Sequence, residues 1–243
     1  VPEAMAVAIG EEDQGSLAIA LLQCVRIEPG LLPGRRLLAV GTDMSVGKMS
    51  ACLELQAAAR RHGLDARFVG TGQAGILISG GGVALDAVRI DYAAGAVEGA
   101  VLAAAAAAGP DTLVLVEGQG SLCHPGSSAT LPLIRGSQPT DLLLVHRAGQ
   151  QTIQRLEDVP LPPLAQLIAA VEAVAALGRP AGSGPAPRVT AIALNTAHLE
   201  DAAAAAALTA TAAATGLPCL DPVRQGGEAL LDVVLQQKRS PTP

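Results

Sequence analysis

Ten consecutive residues, Gly41-Thr42-Asp43-Met44-Ser45-Val46-Gly47-Lys48-Met49-Ser50, combine two glycines and a lysine at a spacing suited to phosphate binding. Glycines let successive backbone N–H groups turn toward phosphate oxygens. The helix that follows adds positive potential at its N-terminus, and a lysine ammonium neutralises charge. Gly41, Gly47 and Lys48 fill those roles. Two departures from the common phosphate loop bear on chemistry. Five residues rather than four separate the glycines, and Met49 stands where a Ser or Thr hydroxyl normally meets Mg²⁺. Ser50 and Asp43 are the nearest substitutes for that hydroxyl, so the residues point to phosphate binding more directly than to magnesium chemistry.

Other polar residues fall where a reaction next to that loop would need them. Glu117 follows an apolar run and is the best single carboxylate, read either as a general base or as a ligand of a metal or water at a nucleotide site. His124, seven residues on in Gly120-Ser121-Leu122-Cys123-His124-Pro125, is a second candidate base. Asp91 and Glu98 are seven apart and share a face if their helix begins early, with Asp91 alternatively its N-terminal cap. His146 and Arg147 close an apolar run and suit an acidic substrate. Thr71, Gln73, Ser137 and Gln138 offer neutral hydrogen bonds for orienting a carboxylate. His62 and His198 sit in polar helix-end contexts and read as structural.

These residues need elements to hold them. Glu28-Pro29-Gly30-Leu31-Leu32-Pro33-Gly34 reads as a linker, so residues 1–35 are expected to be a remnant of an amino-terminal region, and residues 36–243 a P-loop α/β domain. The run Arg36 to Val40 predicts a buried parallel strand directly before the loop, and Lys48 to His62 a helix directly after it. Further strands are expected at Ala66 to Val69, Thr112 to Val116, Asp141 to Val145 and Val189 to Leu194. Helices are expected at Ala93 to Ala108, Leu164 to Leu177, Glu200 to Thr215 and Gly227 to Leu235. Such alternation implies a mostly parallel sheet of the P-loop NTPase-like α/β class with helices on both faces. Ligands of such sheets bind beyond the carboxyl ends of the strands. Gly178 to Pro187 reads as a surface connection.

Composition narrows the partners. Sixteen Lys and Arg against 22 Asp and Glu leave a formal charge of -6, and Phe68 and Tyr92 are the only aromatics. Neither counterion release nor base stacking is then available to hold nucleic acid. Cys24, Cys52, Cys123 and Cys219 form no metal-binding or disulfide pattern and read as small hydrophobes in a reducing cytoplasm. The apolar residues come in short blocks, so no membrane span is expected. The expected partner is a small molecule, with a homo-oligomer left open and no metal ligand set assigned.

The longer loop, Gly41 to Lys48, resembles that of the dethiobiotin synthetase type of P-loop protein. That family also ends a central strand with a Glu-Gly-rich turn, here Val116-Glu117-Gly118, and ends another with a base-reading residue, here Asn195 in Ile192-Ala193-Leu194-Asn195. Its lysine after the second strand has no counterpart in Phe68-Val69-Gly70-Thr71-Gly72. A further set of blocks resembles the P-loop domain of the D-glutamate N-acetyltransferase-like family. These are Gly70 to Ile78, Leu85 to Tyr92, Val116 to Pro125, Gly136-Ser137-Gln138-Pro139, Thr215-Gly216-Leu217-Pro218 and Asp221-Pro222-Val223-Arg224, taken with Gly41 to Ser50. The resemblance, running from about Leu37 to Leu235, implies an N-acyltransferase that holds acetyl-CoA by its phosphates and acetylates a D-amino acid such as D-glutamate. Glu117 or His124 would assist, with Thr71, Gln73, Asp91, Ser137, Gln138 and Arg147 near the acceptor. An ATP- and Mg²⁺-dependent kinase or ligase, and a nucleotide-binding subunit without turnover, are the alternatives.

Overall fold

The computed structural model describes residues 32–180 and 183–236. Its first strand, β1 (Arg35–Gly41), shows why the sheet is buried on both sides. Successive side chains of a strand point to opposite faces. Leu37 and Ala39 accordingly enter one apolar cluster, and Leu38 and Val40 enter the other. The same split recurs in β3 (Leu113–Val116) and β4 (Asp141–Arg147), whose central residues are almost wholly buried. With β2 (Ala66–Val69), β7 (Arg188–Asn195) and β8 (Cys219–Leu220), they form a six-stranded sheet among the described residues, in the order β2-β3-β1-β4-β7-β8. Every pairing in it is parallel.

Helices close both faces. On one side, α1 (Lys48–Arg61) contributes Ala51, Cys52, Leu55, Ala58 and Ala59, joined by Leu230, Leu231 and Val234 of α8 (Glu228–Gln236). On the other side lie α3 (Ile90–Ala104), α4 (Thr130–Ser137) and α5 (Leu164–Ala176), through Val97, Val101, Leu133, Ile134, Leu167 and Val171. The alanine-rich α6 (Asp201–Thr215) buries only Ala204 and connects β7 to β8. This is the doubly covered parallel sheet expected from the alternation of patterns. No helix among the described residues is long and apolar enough to cross a membrane.

Several elements were not expected. The short α2 (Gln73–Ser79) follows β2, and the four-residue α7 (Pro222–Gln225) follows β8. An antiparallel hairpin, β5 (Thr152–Ile153) with β6 (Leu156–Pro160), stands outside the main sheet. Four-residue and two-residue elements are too short to show periodicity. Pro132 and Gly136 hide α4 from a propensity reading, although proline is tolerated in a helix's first turn. Arg35 pairs with Leu113 inside β1, so the strand starts one residue before the expected domain edge. Residues 1–31 of the expected remnant, and Cys24 with them, lie outside the described residues. So do residues 181–182 of the Gly178 to Pro187 connection, whose described part is tied down by Arg179 donating to the carbonyls of Pro139 (3.1 Å) and Ser183 (2.8 Å).

The parallel arrangement brings the carboxyl ends of β1, β2, β3, β4 and β7 to one edge. One glycine there is fixed by close approach. A Cβ on Gly118, just past β3, would collide with the Ala39 carbonyl oxygen and stand 2.8 Å from Lys48 Cδ. A Cβ on Gly99 in α3 would meet nothing within 4 Å. Gly118→Ala should therefore lower stability by about 1–3 kcal/mol or more, while Gly99→Ala should raise it by about 0.5–1 kcal/mol through helix propensity. Urea denaturation of the two variants checks the pair, and equal midpoints would contradict the close approach.

Candidate functional site

The phosphate loop is a backbone structure braced from all sides. Thr42 N–H donates to the Val145 carbonyl at 3.0 Å, carrying the β1–β4 ladder into the loop. Ser45 (φ 55°) and Gly47 (φ 110°) then take left-handed conformations that turn the chain into α1. Gly47 caps α1 without a side-chain hydrogen bond to the first-turn N–H groups. Such N–H groups, with the helix dipole behind them, favour an anion.

Lys48 lies at the root of the loop. It is buried, and its ammonium donates to the Asp43 carbonyl at 2.9 Å. The absence of a side chain at Gly41 makes room for it, since a Cβ there would stand 2.7 Å from Nζ. Burial pushes the ammonium down to about 8, against the opposing pull of the Asp43 and Glu117 carboxylates.

Three tethers fix the loop. The Asp43 carboxylate accepts from Met44 N–H (2.6 Å) through one oxygen, and from Gln150 Nε2 and Gln154 N–H (2.7 Å each) through the other. The loop is thereby tied to the β5–β6 hairpin. Ser121 Oγ donates to the Thr42 carbonyl at 2.8 Å, drawing the segment after β3 over the loop. Asn195 Nδ2 donates to the Val46 carbonyl at 3.1 Å, while its Oδ1 accepts from Ala197 N–H at 3.1 Å. Asn195 thus binds the end of β7 to the loop.

Glu117 joins a fourth segment. Its Oε2 accepts from Thr71 N–H (2.8 Å) and Gly72 N–H (3.1 Å), and Thr71 Oγ1 donates to its carbonyl at 2.9 Å. The carboxylate sits against the start of α2, where a Cβ on Gly75 would collide with it. The same charge, added to burial, helps push the Cys52 thiol up to about 12.

A cavity of about 360 Å³ opens beside the loop. Gly47, Ser50 and Ala51 form one wall, Ala193 and Asn195 another, and Pro222 with Arg224 a third. The third wall is rigid. Asp221 caps α7 through Val223 and Arg224 N–H (3.1 Å each) and accepts from Thr196 N–H at 3.0 Å, while Arg224 donates to the Leu199 carbonyl at 2.6 Å and to Asp201.

The structure gathers Gly41 to Ser50, Glu117, Thr71 and Asn195 into one site. Met49, however, packs against the core on the α1 side of the sheet, and Ser50 lines the cavity. His124 is half-buried in the turn after Ser121, with Nδ1 accepting Gly126 N–H at 3.0 Å. Arg147 is exposed at the end of β4, in register with Asn195. Gln73 is exposed and donates to Asp86 at 3.2 Å.

Other expectations need correction. Ser137 and Gln138 lie at the opposite end of the sheet: their carbonyls accept from Arg36 Nε at the start of β1, and Ser137 Oγ donates to the Leu133 carbonyl at 2.6 Å. They precede β4, so their place is fixed by which end of a parallel strand they join. Asp91 and Glu98 do not share an environment, because Asp91 is exposed and Glu98 is buried. Nor is Asp91 the cap of α3, which is Arg89 without a side-chain hydrogen bond. His146 is buried rather than turned toward an acidic substrate, and its Nδ1 meets Thr42 Oγ1 at 2.9 Å. His62 and His198 are exposed, and Cys52, Cys123 and Cys219 are free thiols. Sequence reasoning missed Gln150 and Ser121, which carry no spacing signal, and it left Arg224 without a role.

A parallel sheet covered on both faces, with a glycine-bounded loop and buried lysine at its carboxyl edge, defines a P-loop α/β protein. The family model described as "Domain of unknown function (DUF1611_C) P-loop domain" matches residues 26–231, and the chain belongs to that family. It is 38% identical over 206 residues to a protein from Tritonibacter scottomollicae and 36% identical over 203 residues to one from a Pseudoalteromonas species. Both are named "D-glutamate N-acetyltransferase". The matches cover 83% and 82% of this chain but 58% and 57% of the relatives, so the chain spans less than three fifths of their length. The crystal structure of a DUF1611 family protein from Anabaena variabilis is 44% identical, with a TM-score of 0.79 over 95% of this chain and 76% of that one.

His146 makes a pH test of the loop's support. Burial lowers it from 6.5 to about 4, so the unfolded chain binds more protons between those values. The stability of the neutral, buried ring is complete above pH 6.5 and is lost as pH falls toward 4, by up to about 3 kcal/mol. His146→Gln should flatten that part of the stability profile in urea denaturation from pH 7 to pH 4. Parallel profiles for variant and wild type would contradict the assignment.

Proposed function

We propose that this domain is the coenzyme-holding part of an N-acetyltransferase that moves the acetyl group of acetyl-CoA onto the amino group of D-glutamate or a similar D-amino acid. The observation that carries the reading is the phosphate loop with buried Lys48 and adjoining Glu117, in a chain whose relatives bear that activity in their names. The loop N–H groups and Lys48 hold phosphate oxygens, and the 360 Å³ cavity between Ser50, Asn195 and Arg224 receives the flat heterocycle. The reducing cytoplasm is the compartment we assign, consistent with free thiols at Cys52, Cys123 and Cys219.

Transfer requires a neutral acceptor amine whose nitrogen lone pair attacks the thioester carbonyl, a base that takes the proton the nitrogen then loses, and breakage of the C–S bond with CoA leaving as thiolate or, once protonated, as thiol. The two candidate groups suit different parts of this. Glu117 commits Oε2 to two N–H groups, which leaves Oε1 to accept the proton. His124 accepts Gly126 N–H at Nδ1, which assigns its own proton to Nε2. Nε2 is then a donor, suited to the carbonyl oxygen as that becomes an oxyanion. Arg147 at the end of β4 offers a cation to the acceptor's carboxylate, with Thr71 and Gln73 flanking the carboxylate of Glu117 and the start of α2.

Acetyl transfer to a panel of D- and L-amino acids, with the full chain and acetyl-CoA, tests this. Glu117→Gln should cut turnover by about 10²–10⁴-fold while coenzyme affinity stays nearly intact. His124→Ala should lose less, because it removes one donor and no proton acceptor. Wild type that acetylates no member of the panel, or Glu117→Gln with undiminished turnover, would overturn the reading.

A further inference from the structure

P-loop proteins commonly hold their phosphates together with Mg²⁺, which a Ser or Thr hydroxyl after the loop lysine ligates directly. The residues of this chain do not fit that ion. Met49 takes the hydroxyl's position and packs its thioether into the apolar cluster between α1 and the sheet. Ser50, the neighbouring hydroxyl, faces the cavity wall instead. Asp43 already satisfies three N–H donors with its two oxygens and is buried. A cation could recruit it only by detaching the loop from Gln150 and Gln154. Glu117 holds Oε2 on Thr71 and Gly72 N–H, which leaves Oε1 as the one uncommitted carboxylate oxygen of these two acids.

The local charge balance adds a selection. Lys48 supplies one positive charge at the loop, and the Asp43 and Glu117 carboxylates that act on it supply two negative ones. A nucleoside triphosphate brings about four negative charges, two of them on its terminal group, and normally needs a divalent cation to settle beside carboxylates. A diphosphate esterified at both ends carries one charge on each phosphorus. That smaller load is within reach of a single ammonium and a set of backbone N–H groups.

We propose that this phosphate loop takes a diphosphate diester, the linkage that joins the two halves of a coenzyme, without a divalent cation, and that it discriminates against magnesium nucleoside triphosphates. The inference rests on the reading of Gly41 to Lys48 as a phosphate site and gives the chemical class of its ligand.

The test is calorimetric titration of the full chain with CoA, ADP-ribose and ATP, each in EDTA and again in excess magnesium chloride. CoA or ADP-ribose should bind with affinities that differ by less than about threefold between the two conditions, and ATP should bind at least about tenfold more weakly than the better diester in both. A magnesium enhancement of more than threefold for either diester, or ATP with magnesium binding as tightly as the diesters, would overturn the proposal. If ADP-ribose binds without metal and CoA does not, the acetyl-CoA reading falls while the metal-free diester site stands. Binding of none of the three would overturn both.

Discussion

An ammonium group cannot enter a protein interior without something to hold its charge, and the architecture at the carboxyl edge of this sheet is arranged around one that does. Lys48 rises from the first residue of α1 into a space that only glycine at positions 41 and 118 leaves open. Its one hydrogen bond goes to the carbonyl of Asp43, inside the loop it serves. Burial makes its charged form costly, and the two carboxylates acting on it only partly offset that cost. A phosphate in the loop would favour the charged form further, because it meets the ammonium directly.

Around that centre the fold converts strand ends into tethers. β1 leads into the loop, β3 delivers Glu117, β4 delivers His146 to Thr42, and β7 delivers Asn195 to Val46. The contacts made by Glu117, His146 and Asn195 are hydrogen bonds between segments far apart in sequence. Preorganisation of this kind is what lets backbone N–H groups bind an anion without reorganising at the moment of binding. Glu117 has a double place in the arrangement, since it acts electrostatically on Lys48 and holds the start of α2.

The sequence announced those parts of this that depend on local pattern. The apolar runs at Leu37 to Val40 and Leu142 to Val145 are continuous because both faces of their strands are buried, and that made the parallel sheet legible. The glycines and Lys48 marked the loop because few other residues could occupy those positions. What local pattern does not encode is which end of the sheet a residue reaches. Ser137 and Gln138 read as ligand-orienting polar residues, yet they precede β4 and so lie with Arg36 at the far end. His146 lies near the end of the same strand, at the correct edge, but spends its ring on Thr42. The α2 helix stayed hidden among glycines because its start is held by a carboxylate 46 residues away and not by its own sequence.

The proposed phosphate site depends most directly on Lys48. Burial lowers the Lys48 ammonium to about 8, and an anion beside it favours the charged form, so binding near that pH should take up protons through this group. Titration of CoA at pH 8 in two buffers of different ionisation enthalpy, for wild type and Lys48→Met, measures that uptake as the difference between the two proteins. Wild type is expected to show the excess proton uptake together with an affinity about 10- to 150-fold higher than that of Lys48→Met. Equal affinity and equal proton uptake in the two proteins would contradict it.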